Sequence, residues 1–272
     1  MELSKYEKYA LIKIRKWETK RRGFLVDTAA KPVDYLIQKI GKEKFKHIEN
    51  VVETTLDKML HTATYSVNEK ELLKRAHDNG IIINDLSELK TCPLKLLDNC
   101  NEKHIRMHER VSAAQGAAAG LGGALTATAD LTAILIQIFH LLQEIAFCYG
   151  FDPNDPVEKL ILLRIIEGGI GSTESKFKAL REISILEKIQ LNGDIDPISG
   201  KPVKAFSTKA MSEYIEKLTL AIISRFMRRA LPIPLLTIAA GAHSNHEMME
   251  NSGETAFMVY RKKFIIRKRD LL

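Results

Sequence analysis

The histidines of "HIRMHER" fall at His104 and His108, four residues apart. On a helix that spacing stacks both rings on one face, where two imidazoles can hold a transition metal. Glu109 follows at once, but the order is not H-E-x-x-H, in which the glutamate lies between the histidines. A second group, "GAHSNHEMME", offers His243, Asn245, His246 and Glu247, with both histidines and the glutamate on one helical side. A third emerges from turning the chain by 100° per residue. Asp130, Gln137, His140 and Glu144 then share a narrow stripe with Ala133, on a helix whose broad face is Leu131, Ile134, Leu135, Ile138, Leu142 and Ile145. One helix supplies too few converging ligands for a metal centre by itself. The stripe therefore reads first as an internally hydrogen-bonded or solvent-facing seam. Its second reading is a polar cleft for a ligand headgroup, lined by Asp130, Gln137, His140, Glu144 and Asn245. No catalytic residue and no cofactor is expected. His104, His108, His243 and His246 are the groups that would make a metal site. An enzymatic alternative, a metal-dependent hydrolase, would use Asp130, His140, Glu144 and one of those histidines.

The usual signatures of chemistry are missing. There is no G-x-S-x-G, and "GLGG" is not followed by the Gly-Lys-Ser/Thr of a phosphate loop. "NGDIDPISG" lacks the closing glutamate of a calcium loop and reads as a turn. Cys92, Cys100 and Cys148 have neither a metal spacing nor an even count, which suits reduced thiols in the cytosol.

Helical periodicity dominates the elements that must carry these groups. An amphipathic basic helix is expected over Leu3–Arg22, a second near Lys31–Ile40 and a third over Lys44–Thr64. Asn68 is placed to cap Glu69–Asp78, ahead of Gly80. Ile81–Leu97 fits either a helix–turn–helix or a short extended piece. Asp98–Gly150 is long and helical, broken near Gly120–Gly123. Asp155 and Pro156 open a helix to about Glu167, another spans Thr173–Gln190, and "LNGDIDPISGKPVKAFS" is a loop. A helix from Ser207 or Thr208 to Arg229 and one or two over Pro234–Leu272 complete an all-α chain. It is expected to be a single compact domain over 1–272, with an N-terminal helix in 1–22 and a core in 98–272. At its centre an Ala/Gly-rich helix precedes an apolar one.

Between Arg110 and Glu144 the only formal charge is Asp130. Val111–Ala129 is long enough to cross a bilayer but poor in large apolar side chains, and Leu131–Gln143 is apolar but short. A charge between the two is costly in lipid, so a conventional span is not expected. An inserted helical hairpin over Val111–Phe147 is the membrane-protein alternative. Gly116, Gly120 and Gly123, with Ala113, Ala117 and Ala124, suit close helix packing within the chain or in a homodimer.

The net charge of +7 is unevenly placed. Met1–Arg22 and Tyr260–Leu272 each carry +5, on a body of about −3. Such ends suit an anionic partner. Aromatic interleaving among the Arg and Lys is thin, so nucleic acid is not expected. An anionic lipid surface fits better, contacted through Tyr6, Trp17, Arg261, Lys262 and Arg267. The N-terminal stretch has no apolar core of a signal peptide. The expected location is the cytoplasm, peripheral to the inner face of the membrane.

"QGAAAGLGGALTATADL" and "QEIAFCYGFDP" together resemble the core of the EcsC family of bacterial proteins. The matching positions are Gln115–Gly123, Thr126–Asp130, Leu131–Ala146 and Tyr149–Pro153. Near the other end Pro234, Gly241, Ala242, Asn245, Tyr260 and Arg261 fit the family's closing segment, and Trp17 fits its charged opening helix. The Gly193–Val203 loop, His243 and His246 match no family feature. The family takes its name from a gene beside those of an ABC transporter. The resemblance thus implies a helical cytosolic or peripheral membrane accessory with ABC transporter subunits as partners. It assigns no activity and no catalytic residue.

Overall fold

The computed structural model describes residues 2–21, 38, 41–61, 68–121, 124–192, 214–222 and 234–270. Among them there is no strand. The helices are α1 (Lys5–Thr19), α2 (Lys42–His61), α3 (Glu69–Asp78), α4 (Leu94–Leu121), α5 (Ala124–Cys148), α6 (Pro156–Ile170), α7 (Thr173–Asn192), a segment α8 at 214–222, and α9 (Pro234–Asp270). The all-α expectation holds. The helix expected near Lys31–Ile40 and the Gly193–Val203 loop lie outside the described residues.

Local chemistry sets several boundaries. Ser4 and Glu7 close a reciprocal box at the start of α1, with the Ser4 hydroxyl accepting from the Glu7 amide at 3.2 Å and the Glu7 carboxylate from the Ser4 amide at 2.7 Å. Asn68 caps α3, its side-chain oxygen accepting from the Lys70 amide at 3.1 Å. Asp155 caps α6 through the Val157 and Glu158 amides. The ambiguous stretch after Gly80 has no regular structure at Ile81–Ile83, bends at Asn84–Asp85, then forms a 3₁₀ turn at Leu86–Thr91 that Asp85 and Glu88 box. Pro234–Asp270 is one helix of 37 residues.

That last helix organises the packing: α9 lies against α4, α5, α6 and α1. In α6 most residues are buried, as in a helix apolar all round. Close helix approach occurs at Gly169, where a Cβ would sit 2.6 Å from the Ser252 Cα of α9. The expected stripe at Gly116, Gly120 and Gly123 falls on side chains outside those described. In α5, Leu131–Cys148 is long and apolar enough to cross a membrane by composition, with mean hydropathy 1.7. Its Leu131, Ile134, Leu135, Ile138, Leu142 and Ile145 are all buried in the protein core.

The charged groups deepest in this core, Asp98 and Glu158, are paired. Asp98, fully buried at the start of α4, accepts from the Tyr149 hydroxyl at 2.6 Å and the Tyr6 hydroxyl at 2.7 Å, and Arg261 lies 2.6 Å away. Burial raises its carboxyl above the ordinary aspartate value, against the pull of Arg261 and the tyrosines. The same environment, burial first, pushes the Tyr6 phenol up to about 12. On the other side of α9, Lys263 donates to both oxygens of Glu158, at 2.7 and 2.8 Å. Tyr149 and Gly150 also close the α5–α6 corner. Gly150 has φ +74, a left-handed turn that glycine enters without strain. Arg267 donates to both carbonyls, at 2.9 Å to Tyr149 and 2.8 Å to Gly150.

Candidate functional site

Two features stand apart from this scaffold: a polar cluster where α3, α4 and α5 meet, and the outer face of α1.

The α4–α5 pair is antiparallel, and its register sets the cluster. Gln115 faces Gln137, accepting a hydrogen bond from its amide. One end further along, His104 faces Glu144. Both nitrogens His104 Nε2 and His108 Nε2 approach the same oxygen, Glu144 Oε2, the first in direct hydrogen bond and the second at 3.3 Å. The two rings meet edge to face with centroids 4.5 Å apart, as the i, i+4 spacing on α4 dictates. Arg75, in the last turn of α3, reaches Glu144 Oε1 at 3.3 Å and His104 Nε2 at 2.9 Å. His104 Nε2 cannot donate to Glu144 and accept from Arg75 at once. A neutral ring with its proton on Nε2 serves Glu144, leaving Arg75 to pair with Oε1.

The electrostatics fit that assignment. His104 has a side chain 4% exposed, and burial holds its pKa below the ordinary histidine value despite Glu144. Burial also lowers His140, which lies in the field of Glu144 and His108. Glu144 is driven well below the usual carboxylate range. Burial alone would raise it, but hydrogen bonds from His104 and His108 and the charge of Arg75 prevail. Beside the cluster is a cavity of about 20 Å³, room for roughly one water. It is lined by Leu72, Ala76, Leu89, Cys100, Asn101 and Cys148 together with Arg75, His104 and Glu144. Among the described residues, His104, His108 and Glu144 are the one group of three such ligands gathered together, with ligand atoms within 4.8 Å of one another.

The expected seam is thus divided. Gln137, His140 and Glu144 do lie along the α4–α5 contact. The side chain of Asp130 lies outside the described residues. Asn245 is buried on α9 and interacts there. Of the four histidines, His104 and His108 converge with Glu144. His243 is exposed, and His246 pairs with Glu250 of its own helix at 3.8 Å. Sequence reasoning missed Arg75, because nothing local distinguishes it from the other cations of α3.

The residues expected to touch a membrane are placed elsewhere. Trp17 is 6% exposed and packs inward with Ala10 and Ile14. Tyr6 is bound to Asp98. Arg261 is buried against Asp98, Lys262 pairs with Glu18 at 2.6 Å, and Arg267 holds the α5–α6 corner. Arg261, Lys262 and Arg267 each meet an acid or a carbonyl far off in the chain, which counting charges along the chain does not reveal.

The opposite face of α1 does meet solvent. Lys5, Lys8, Tyr9, Ile12, Lys13 and Lys16 follow i, i+3, i+4, i+7, i+8 and i+11, a single exposed stripe with Arg15 at its edge. Tyr9 is 52% and Ile12 64% exposed. The acids of α1 are turned away from this stripe: Glu7 is buried against Lys268 at 2.6 Å, and Glu18 pairs with Lys262.

A model of the EcsC protein family matches residues 8–265. The chain is similar to the uncharacterized protein YdbA of Bacillus subtilis (strain 168), 23% identical over 245 residues, covering 86% of this chain and 80% of that protein. It is also similar to the protein EcsC of the same organism, 23% identical over 225 residues, 82% of this chain and 87% of that protein. No solved structure matches it. With a family match that runs from the second turn of α1 nearly to the end of α9, the chain belongs to the EcsC protein family.

Proposed function

We propose that the protein is a non-catalytic accessory that docks on an anionic membrane surface through the outer face of α1. The observation that carries this reading is the exposed stripe of Lys5, Lys8, Lys13 and Lys16 around Tyr9 and Ile12, beside which the one exposed acid is Glu2, 3.8 Å from Lys8 ahead of the helix. Each cation near an anionic leaflet contributes about 1 kcal/mol, so these four and Arg15 together supply on the order of 5 kcal/mol. Submerging the exposed part of Ile12 adds roughly 1–2 kcal/mol. The helix would lie in the interface plane with its other face still packed on the protein. The family resemblance suggests an ABC transporter as the setting, with transporter subunits as partners. Co-purification from membranes tests that part separately.

Flotation with neutral and anionic vesicles, at low and high salt, tests the docking. Binding should require anionic lipid and fade near 1 M salt, where the screening length drops to about 3 Å. Lys8→Glu, Lys13→Glu and Lys16→Glu combined should abolish it while leaving the helical circular dichroism unchanged. Equal binding to neutral vesicles, or full binding by the triple variant, would refute the reading.

A further inference from the structure

We infer that His104, His108 and Glu144 form a binding site for one divalent transition-metal ion of the zinc class, ligated by the two Nε2 atoms and Glu144 Oε2.

The geometry carries the inference. Two imidazoles and a carboxylate are the ligand set that borderline divalent ions accept. With bonds of about 2.0–2.1 Å, the ligand atoms of a tetrahedral site lie about 3.3 Å apart. His108 Nε2 and Glu144 Oε2 are already 3.3 Å apart, and all three ligand atoms lie within 4.8 Å of one another. Both histidines address one oxygen of Glu144, while Arg75 holds the other and must give up its 2.9 Å approach to His104 Nε2 when an ion binds. That division leaves Oε2 to the ion and gives the carboxylate the outer partner that such ligands usually have. Binding needs the His104 proton to move from Nε2 to Nδ1, His108 likewise to present a bare Nε2, and the His104–Glu144 contact to open around the ion. The three ligands come from two helices in fixed antiparallel register, so backbone movement is not required. The cavity beside His104 and Glu144 has room for about one water, which would supply a fourth ligand. The site is shielded: the side chains of His104, Glu144 and His108 are 4%, 13% and 18% exposed. An ion would therefore enter from the His108 side.

The test uses the full chain, stripped with a chelator and titrated with CoCl2 and with ZnCl2. Cobalt should give the visible absorption of a low-symmetry four-coordinate site, saturating at one ion per chain, and zinc should displace it. His108→Ala and Glu144→Gln should each weaken the affinity about tenfold or more. His104 is the most buried ligand, and its replacement risks the fold, so the more accessible His108 carries the test. Zinc should also raise the melting temperature of the parent chain but not of the His108→Ala variant. Cys100→Ser and the pair His243→Ala/His246→Ala should bind as the parent does. The inference is overturned by absence of stoichiometric uptake, by uptake that survives His108→Ala and Glu144→Gln, or by uptake lost on Cys100→Ser. None of these readouts involves a membrane, so their failure is independent of the docking proposal.

Discussion

Replacing Lys263 by methionine tests how the cations of α9 are used. The ammonium of Lys263 donates to both oxygens of Glu158 and also lies 3.4 Å from the Gln190 side-chain oxygen, with its side chain 5% exposed and that of Glu158 1%. It lies 4.6 Å from the centroid of the Phe151 ring and 5.5 Å from that of Tyr260, so the ammonium is flanked by aromatic faces. Methionine matches the stem and removes the charge. Glu158 would then lose its cation and keep the Gln190 amide as a donor at 3.0 Å. Breaking a buried pair from one side costs about 3–5 kcal/mol. For a chain of this size each kcal/mol lowers the melting temperature by about 2–4 °C, so the variant should melt roughly 10 °C lower. Urea unfolding followed by circular dichroism gives the free energy, and an unchanged slope shows that the native state is intact. Replacing Glu158 by leucine in the same chain should recover most of the loss, because the costly species is the lone charge and not the missing pair. A single-variant cost below about 1 kcal/mol, or a double variant as poor as the sum of the singles, would show that Lys263 is solvated and that α9 does not carry its charge inward.

Three further outcomes follow from the geometry. Trp17, the one tryptophan, reports on α1: its emission should stay blue and shielded from iodide when the protein binds anionic vesicles, because the opposite face makes contact, and a shift or quenching by brominated lipid would mean that α1 turns over or detaches. Burial would raise the Glu7 carboxyl, but Lys268 and Ser4 hold it below its ordinary value; its share of stability is present above the unfolded value and lost as pH falls through the folded one, so Glu7→Gln should flatten the acid limb of a stability–pH curve. Gly169→Ala should cost about 1–3 kcal/mol in urea unfolding, since the added methyl meets the α9 backbone at Ser252 and not a movable side-chain end.

Features that depend on neighbours in sequence were legible from the chain. The Asn68 and Asp155 caps act over two or three residues, and the stripe of Gln137, His140 and Glu144 follows from helical pitch alone. The pairing of His104 and His108 was legible for the same reason. Their meeting with Glu144 and Arg75 was not, because it depends on the register of α4 against α5 and on where α3 ends. The surface of α1 shows the limit most directly. Its amphipathic character was plain, but aromaticity suggested that Trp17 faces a membrane. Trp17 lies with Ala10 and Ile14 on the face that packs, and Tyr9 and Ile12 lie on the other. The cations of α9 misled similarly: their acids, Asp98, Glu158, Glu18 and Glu7, are scattered over the rest of the chain.

The ties between α1 and α9 also bear on how the chain folds. Lys268 meets Glu7 across 261 residues, Arg261 meets Tyr6 across 255, and Lys262 meets Glu18 across 244. Helical proteins usually fold fast because their contacts are local. Here, closing a loop of 261 residues costs about 2.5 kcal/mol more in chain entropy than closing one of about 15. The α4–α5 hairpin has no such burden and can form early. The ties of α1 to α9 form only once α9 lies among α4, α5 and α6, so this part of its docking is expected late in folding.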